Sequence, residues 1–390
     1  MEKPGERERP TVVRANHAVA ASAKSAAVIL FAGGGSGGHI APGLAIAERL
    51  AEFDPHARAI FACSNRAIDA DMLEKAGAEF VAMPAAPLRK SPMGLLRFAR
   101  EYRRTIRMAR RLIGERGVTQ VVALGGFVAA PVVAAAKRCG VSATLVNLDA
   151  PPGKANRLIA RQCDRVLSAV ALPSLPRFAE RIVGLPVRRA AIAPADQSAC
   201  RAKLGLNPEL PTLLVTGASQ GARSINALLI ELAVQSPEML RGWQVLHLAG
   251  FGDDGPVRAA YQAAGIPALV QPFMHEIGLA WGAADLAISR AGANSVAEVA
   301  INAVPCIFLP YPYHRDQHQR HNAEPLARIG GAIIVRDRID TDENVRNLSP
   351  ILRDMLAGPG KLDEMRTALR AAKSADAAKF IAEIVLQKLT

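Results

Sequence analysis

Apolar runs long enough to cross a bilayer are missing from this chain of 390 residues: none approaches the ~18 residues that a spanning helix needs. The expectation is a soluble or surface-bound protein. Cysteine is scarce as well. Cys63, Cys139, Cys163, Cys200 and Cys306 are odd in number, far apart and free of Cys-x-x-Cys spacing. That argues against a disulfide framework or a thiolate metal site and predicts buried thiols of a reducing compartment. Aromatic residues amount to 4%, too few for the stacking platforms of a single-strand nucleic-acid binder. Acidic residues are the minority charge, 35 against 48 Lys and Arg, and the net charge of +13 favours an anionic partner such as nucleic acid, anionic lipid or a phosphorylated substrate. Residues 1–24 lack the apolar stretch of a secretion signal. Polar and mixed in charge, with Pro4 and Pro10, they read as a disordered extension.

What is present is an alternation of apolar strand-like runs with helix-like stretches, the pattern of parallel sheets with crossover helices. Strands are expected near 27–32, 57–63, 79–83, 119–124, 142–147 and 165–169, and again near 212–216, 243–248, 268–271, 286–289, 305–309 and 332–335. The length suits roughly two domains. The fold class is therefore α/β, with two doubly wound, Rossmann-like parallel-sheet domains facing a cleft and joined near 184–198. In such sheets ligands bind beyond the carboxyl ends of the strands.

Four glycine-bearing turns follow expected strands. The first, Gly33-Gly34-Gly35-Ser36-Gly37-Gly38-His39, leads into a helix-like stretch, so its backbone N–H groups suit an anion at the positive end of a helix dipole. The others are Leu124-Gly125-Gly126-Phe127, then Thr216-Gly217-Ala218-Ser219-Gln220-Gly221, then Arg290-Ala291-Gly292-Ala293-Asn294-Ser295-Val296. Any one of them also serves as a tight turn without a ligand. Four together favour a phosphate-handling cleft. Glu298, near a helix start, is placed either to accept from both hydroxyls of a ribose or merely to complement the helix dipole. The stretch Tyr311 to Asn322 is dense in hydrogen-bonding side chains, as a sugar site requires. Its three histidines, His314, His318 and His321, have no carboxylate or thiol at a familiar zinc spacing, and no metal site is expected.

In their order and spread, from about residue 26 to the C-terminus, these motifs resemble glycosyltransferase family 28, whose fold is GT-B. The resemblance implies an inverting enzyme that moves N-acetylglucosamine from UDP-N-acetylglucosamine to a polyprenyl-diphosphate-linked muramyl-peptide, in peptidoglycan synthesis. It implies an acceptor- and membrane-binding domain over 25–184 and a UDP-sugar domain over 185–390, with room for the last helix to return to the first. Glu298 would hold the ribose, Arg188, Ser219, Gln220, Ala293, Asn294, Ser295 and Val296 the diphosphate and uracil surroundings, Met274 the uracil, and His318 and Gln319 the donor sugar. Ser36, Gly37, Gly38, Gly125 and Gly126 would face the acceptor and its diphosphate. His39 would be the base, or a charge that orients the acceptor. No cofactor is required, because arginine and helix N-termini can stabilise the departing UDP.

The chain departs from the family at Val146-Asn147-Leu148-Asp149, where a His-Glu-Gln-Asn sequence is usual. Asp149 becomes a second candidate base, provided burial raises its pKa. This departure keeps open a diverged member acting on another lipid or a secondary-metabolite acceptor; a non-catalytic sugar-nucleotide-binding protein stays open because a binding cleft does not by itself imply turnover. Residues 92–116 read as a helix whose apolar stripe, Leu95, Phe98, Ala99, Tyr102, Ile106, Ala109 and Ile113, should face the sheet. Its arginines, Arg97, Arg100, Arg104, Arg107 and Arg111 among them, would meet anionic lipid at the cytoplasmic face of the inner membrane, at ~1 kcal/mol each, and Leu95 would join that contact. No nucleic-acid partner is expected, since no binding module is recognisable and the charge gathers on one helix.

Overall fold

Two parallel sheets organise the chain. A computed structural model describes residues 26–34, 38–88, 91–172, 174–217, 221–313, 317–372 and 376–387. The expected extension, 1–24, together with Ser36, Gly37, Ser219 and Gln220, lies outside the described residues.

The first sheet holds β1 Val28–Ala32, β2 Arg58–Ser64, β3 Glu79–Met83, β4 Gln120–Ala123, β5 Ser142–Asn147, β6 Arg165–Ser168 and β7 Arg181–Ile182, in the order β3-β2-β1-β4-β5-β6-β7. The second holds β8 Thr212–Thr216, β9 Gln244–Leu248, β10 Ala268–Gln271, β11 Leu286–Ser289, β12 Cys306–Phe308 and β13 Ala332–Ile334, in the order β10-β9-β8-β11-β12-β13. Of these, only the two-residue β7 has no counterpart in the expected strands; it is too short to leave a periodic signal.

The helices of the first half are α1 Ile40–Phe53, α2 Ala67–Lys75, α3 Pro92–Arg116, α4 Gly126–Arg138 and α5 Lys154–Ala160. The second half adds α6 Gln197–Lys203, α7 Arg223–Gln235, α8 Asp254–Ala263, α9 Ile277–Ala283, α10 Ala293–Asn302, α11 His318–Arg328, α12 Thr341–Leu356, α13 Pro359–Ala371 and α14 Ala377–Leu386.

Strand alternation decides which core each residue joins. Leu30, Ile60, Val121 and Leu145 point to one face, under Ile106, Ile113, Val128 and Val132 of α3 and α4. Phe31, Phe61, Val122 and Val146 point to the other, under Ile40 and Leu44 of α1 and Ile381 and Val385 of α14. Helix α14 thus completes the first sheet's core although it follows the second sheet in sequence. A fully buried Arg49 on α1 ties it there, its Nε donating to Asp376 Oδ2 at 2.8 Å.

Both sheets reverse their winding once, between β1 and β4 and between β8 and β11. In doubly wound sheets the ligand crevice opens at such a point, beyond the strand ends. The glycine turns after β1, β4, β8 and β11 are the four segments that leave these strands.

Helix α3 departs from expectation in its packing. Ser91 Oγ caps it by accepting from Gly94 N at 3.1 Å, Pro92 stands in its first turn, and Gly117 ends it in the left-handed region at φ 62°. Its 25 residues span ~37 Å, against ~17 Å for a five-residue strand, so the N-terminal turns overhang the sheet. The buried face is Glu101, Thr105, Ile106, Ala109, Leu112 and Ile113, whereas Leu95 and Ala99 are exposed. Among the cysteines, Cys63, Cys200 and Cys306 are buried, Cys163 is half-buried, and Cys139, at the C-terminal cap of α4, is exposed.

Candidate functional site

A cavity of about 250 Å³ lies between the two halves. Ala41 of α1 and the connecting segment Pro186 to Ala191 form one wall; Thr216, Leu248, the loop Pro272 to His275, Trp281 of α9, and Asn294, Ser295 and Glu298 of α10 form the other. That is below the ~300–1,000 Å³ of a pocket for a drug-sized ligand, so it has room for one part of a nucleotide sugar.

Helix α10 brings its N-terminal turn to this cavity. Gly292 precedes it in extended conformation without a side-chain cap, which leaves its first N–H groups and its dipole for an anion. Glu298 sits one turn further in and lines the same wall. Burial pushes its carboxyl up to about 7, opposed only by the Trp281 indole, whose Nε1 donates to Oε2 at 2.9 Å. The group reaches into the cavity with charge that is costly until a donor arrives.

The first domain contributes Ala41 of α1 to this cavity, and His39 lies two residues before it. His39 is the N-cap residue of α1, following β1 and its glycine turn. Its ring lies against the turn after β4: a methyl group built on Gly125 would fall 3.3 Å from His39 Nε2, and one on Gly126 3.7 Å from Nδ1. Gly125 and Gly126 have φ of 104° and 77°, and a side chain on Gly126 would meet Gly34 O at 2.7 Å. Both strain and close approach require glycine here. His39 Nδ1 is buried with no hydrogen-bond partner among the described residues. Burial lowers the pKa of His39 from its ordinary 6.5, and the charges of Asp149 and Asp69 partly oppose this. A neutral imidazole at the mouth of the cleft can accept a proton.

Of the predicted donor residues, Arg188, Met274, Asn294, Ser295 and Glu298 are gathered around the cavity. Ala293 opens α10, and Val296 turns into the core beneath it. Arg188 is already engaged across the halves, its Nε donating to Glu48 Oε1 of α1 at 3.0 Å. His318 and Gln319 begin α11, outside the lining of this cavity, and Gln319 Oε1 accepts from Tyr311 N at 2.9 Å. Gly38 is exposed before α1.

Asp149 differs from expectation. It is exposed, because it lies beyond β5 on a turn toward solvent, so the burial on which its use as a base depended is absent. Two residues not singled out as site residues support the rim instead. Buried Asn156 donates through Nδ2 to Asn147 Oδ1 at 2.9 Å, and Asn147 Nδ2 donates to Asp149 O at 2.8 Å and Ser168 Oγ at 3.1 Å. A side chain at Gly125 would meet Asn156 Oδ1 at 2.9 Å, so this chain of amides backs the turn that holds His39. In the sequence Asn147 is marked only by its polarity at the end of β5, and Asn156 by its polarity within α5.

Two doubly wound domains, with their winding reversals opposed across a cleft, define the GT-B class of glycosyltransferase. The chain belongs to glycosyltransferase family 28: its N-terminal domain model matches residues 29–168 and its C-terminal domain model residues 212–381. It is 34% identical to the UDP-N-acetylglucosamine–N-acetylmuramyl-(pentapeptide) pyrophosphoryl-undecaprenol N-acetylglucosamine transferase of Streptomyces avermitilis, over 93% of this chain and 98% of that protein. It is 38% identical to the protein of the same name from Leifsonia xyli subsp. xyli, over 79% and 84%. The crystal structure of Acinetobacter baumannii MurG has the same fold, with a TM-score of 0.70 at 24% identity, over 92% of this chain and 99% of that one.

Proposed function

We propose that this glycosyltransferase moves N-acetylglucosamine from UDP-N-acetylglucosamine to a polyprenyl-diphosphate-linked muramyl-peptide at the cytoplasmic face of the inner membrane. The observation that carries the proposal is a cavity between the halves with Glu298 and the α10 N-terminus on one wall and Ala41 of α1 on the other, two residues after His39 in its glycine cradle. The relatives from Streptomyces avermitilis and Leifsonia xyli are named for this reaction.

In the proposed reaction Glu298 accepts from the ribose hydroxyls. An acceptor hydroxyl attacks the anomeric carbon and loses its proton to His39, while the bond from that carbon to the diphosphate breaks on the opposite face. Charge growing on UDP is met by the α10 N-terminus and by Arg188. These groups supply the acid–base and electrostatic help, so the scheme calls for no metal or cofactor.

The membrane part rests on the overhanging start of α3. Leu88, Met93, Leu95 and Leu96 are 61%, 82%, 52% and 73% exposed, an apolar tip with Arg100, Arg107 and Arg111 on the same helix behind it. Such a tip enters an anionic surface with basic residues at the headgroups. Among the described residues no helix is long and apolar enough to cross a membrane.

The test is incubation with radiolabelled UDP-N-acetylglucosamine and a panel of acceptors: the prenyl-diphosphate muramyl-pentapeptide and simpler prenyl-diphosphate sugars. Label in the muramyl-pentapeptide lipid is the expected result. Label only in another acceptor would instead support the diverged reading that the Val146–Asp149 loop raises.

A further inference from the structure

A second cavity, of about 310 Å³, lies wholly in the first domain. It is lined by Ser64 at the end of β2 and Arg66 just beyond it, the segment Pro84 to Pro87 after β3, Arg97, Glu101 and Arg104 of α3, and Phe127 of α4. The three α3 residues fall at i, i+4 and i+7, on one helical face. Two of the arginines expected at lipid thus turn toward a pocket.

Glu101 is the unusual member. Its side chain is only 10% exposed. Oε1 accepts from Arg100 Nε at 3.3 Å and Nη2 at 3.2 Å, while Oε2 is buried without a hydrogen-bond partner among the described residues. Arg104 Nη1 stands 4.0 Å from Oε2. A buried carboxylate oxygen left unmatched is costly and points to a donor from outside the chain.

The cavity lies between the membrane tip and the catalytic rim. Leu88 follows its Pro87 wall and Leu96 precedes Arg97. On the other side Phe127 follows Gly126, against which His39 packs, and Ser64 Oγ donates to Asp69 Oδ2 at 2.6 Å, where Asp69 borders Gly34. The pocket's walls are thus continuous in sequence with the exposed tip on one side and with the His39 cradle on the other.

We propose that the cavity is the subsite for the acceptor's peptide, an inference that rests on the muramyl-peptide reading above. The guanidinium groups of Arg66, Arg97 and Arg104 take peptide carboxylates, and Glu101 Oε2 accepts from an amine or amide N–H. A diphosphate alone has no N–H to offer, and Glu101 would repel it. A peptide carries both kinds of group.

The experiment compares transfer to two acceptors, the prenyl-diphosphate muramyl-pentapeptide and the same lipid without its peptide, by wild type, Glu101→Gln and the double variant Arg97→Ala/Arg104→Ala. Affinity for UDP and the melting temperature report whether each variant is folded. Expected is a rise in acceptor KM of about tenfold or more for the peptide-bearing lipid, kcat and donor KM held, and no change for the peptide-free lipid. Equal losses on both acceptors, or no loss on either, overturn the subsite while leaving the transfer reaction standing. Transfer by wild type to neither acceptor overturns the parent reading and the subsite with it.

Discussion

Trp281 Nε1 donates to Glu298 Oε2 at 2.9 Å, joining α9 to α10 on the wall of the interdomain cavity, and among the described residues no other hydrogen bond reaches that carboxylate. Glu298 therefore has capacity for a diol. Glu298→Ala should weaken UDP binding about 10- to 100-fold by calorimetry, the loss of hydrogen bonds to a charged acceptor. Unchanged affinity would remove the ribose assignment.

The same carboxylate gives a pH signature. Burial lifts it from an ordinary 4.5 to about 7, so between those values the folded protein holds a proton that the unfolded chain has released. Stability of the free protein should fall as pH rises from about 4.5 to 7, and Glu298→Gln should flatten that slope in thermal melts. Ribose hydroxyls donate to the ionised form, so UDP affinity of wild type relative to Glu298→Gln should rise between about pH 6 and 8.

His39 and Asp149 separate by their kinetics. His39→Ala should lower kcat by ~10²–10⁴ with the KM for UDP-N-acetylglucosamine unchanged. Because burial lowers its pKa, the acidic limb of kcat/KM should lie below 6.5. Asp149 acts on the imidazole through its charge, raising that pKa. Asp149→Asn should therefore shift the limb to lower pH and leave the rate at pH 8 within a few-fold. A loss comparable to that of His39→Ala would make Asp149 the base.

Gly126→Ala places a methyl group 2.7 Å from Gly34 O at a φ of 77°. The strain should cost ~1–3 kcal/mol, read as a melting point lower by several degrees, with transfer impaired as the His39 cradle shifts. A wild-type melting point with wild-type turnover would show that the rim adapts.

Met93→Asp/Leu96→Asp should reduce binding to anionic vesicles at least tenfold, since each apolar side chain contributes ~1.5–3 kcal/mol when fully buried. UDP affinity should not change, because both positions are remote from the cavity that holds Glu298. Retained vesicle binding would place the membrane face elsewhere.

Local chemistry was enough for most of the architecture. Runs such as Val28 to Ala32 and Leu286 to Ile288 have apolar side chains on both faces, which only a strand covered on both sides can bury, and the glycines after them mark where the backbone must turn tightly. Family-ordered motifs added Glu298 and His39. The face of α3 was read less well: helical periodicity tells which residues share a side, but not how far the neighbouring sheet extends. Leu95 and Ala99 have the right phase for burial and nothing beneath them.

By itself, then, the sequence determined two parallel-sheet domains, their glycine turns and the residue types of the cleft, because these follow from period, propensity and spacing along one segment. Tertiary structure settled the return of the last helix that the resemblance had left open, α14 closing the core of the first sheet, and it alone decided that Arg188 meets Glu48, that Gln319 serves Tyr311, and that Asp149 is exposed while Asn147 and Asn156 stand behind Gly125. It also decided that Glu101 faces a pocket among arginines. Each of these depends on which groups from distant segments remain to satisfy a buried charge or a polar atom, and that is set only when the segments pack.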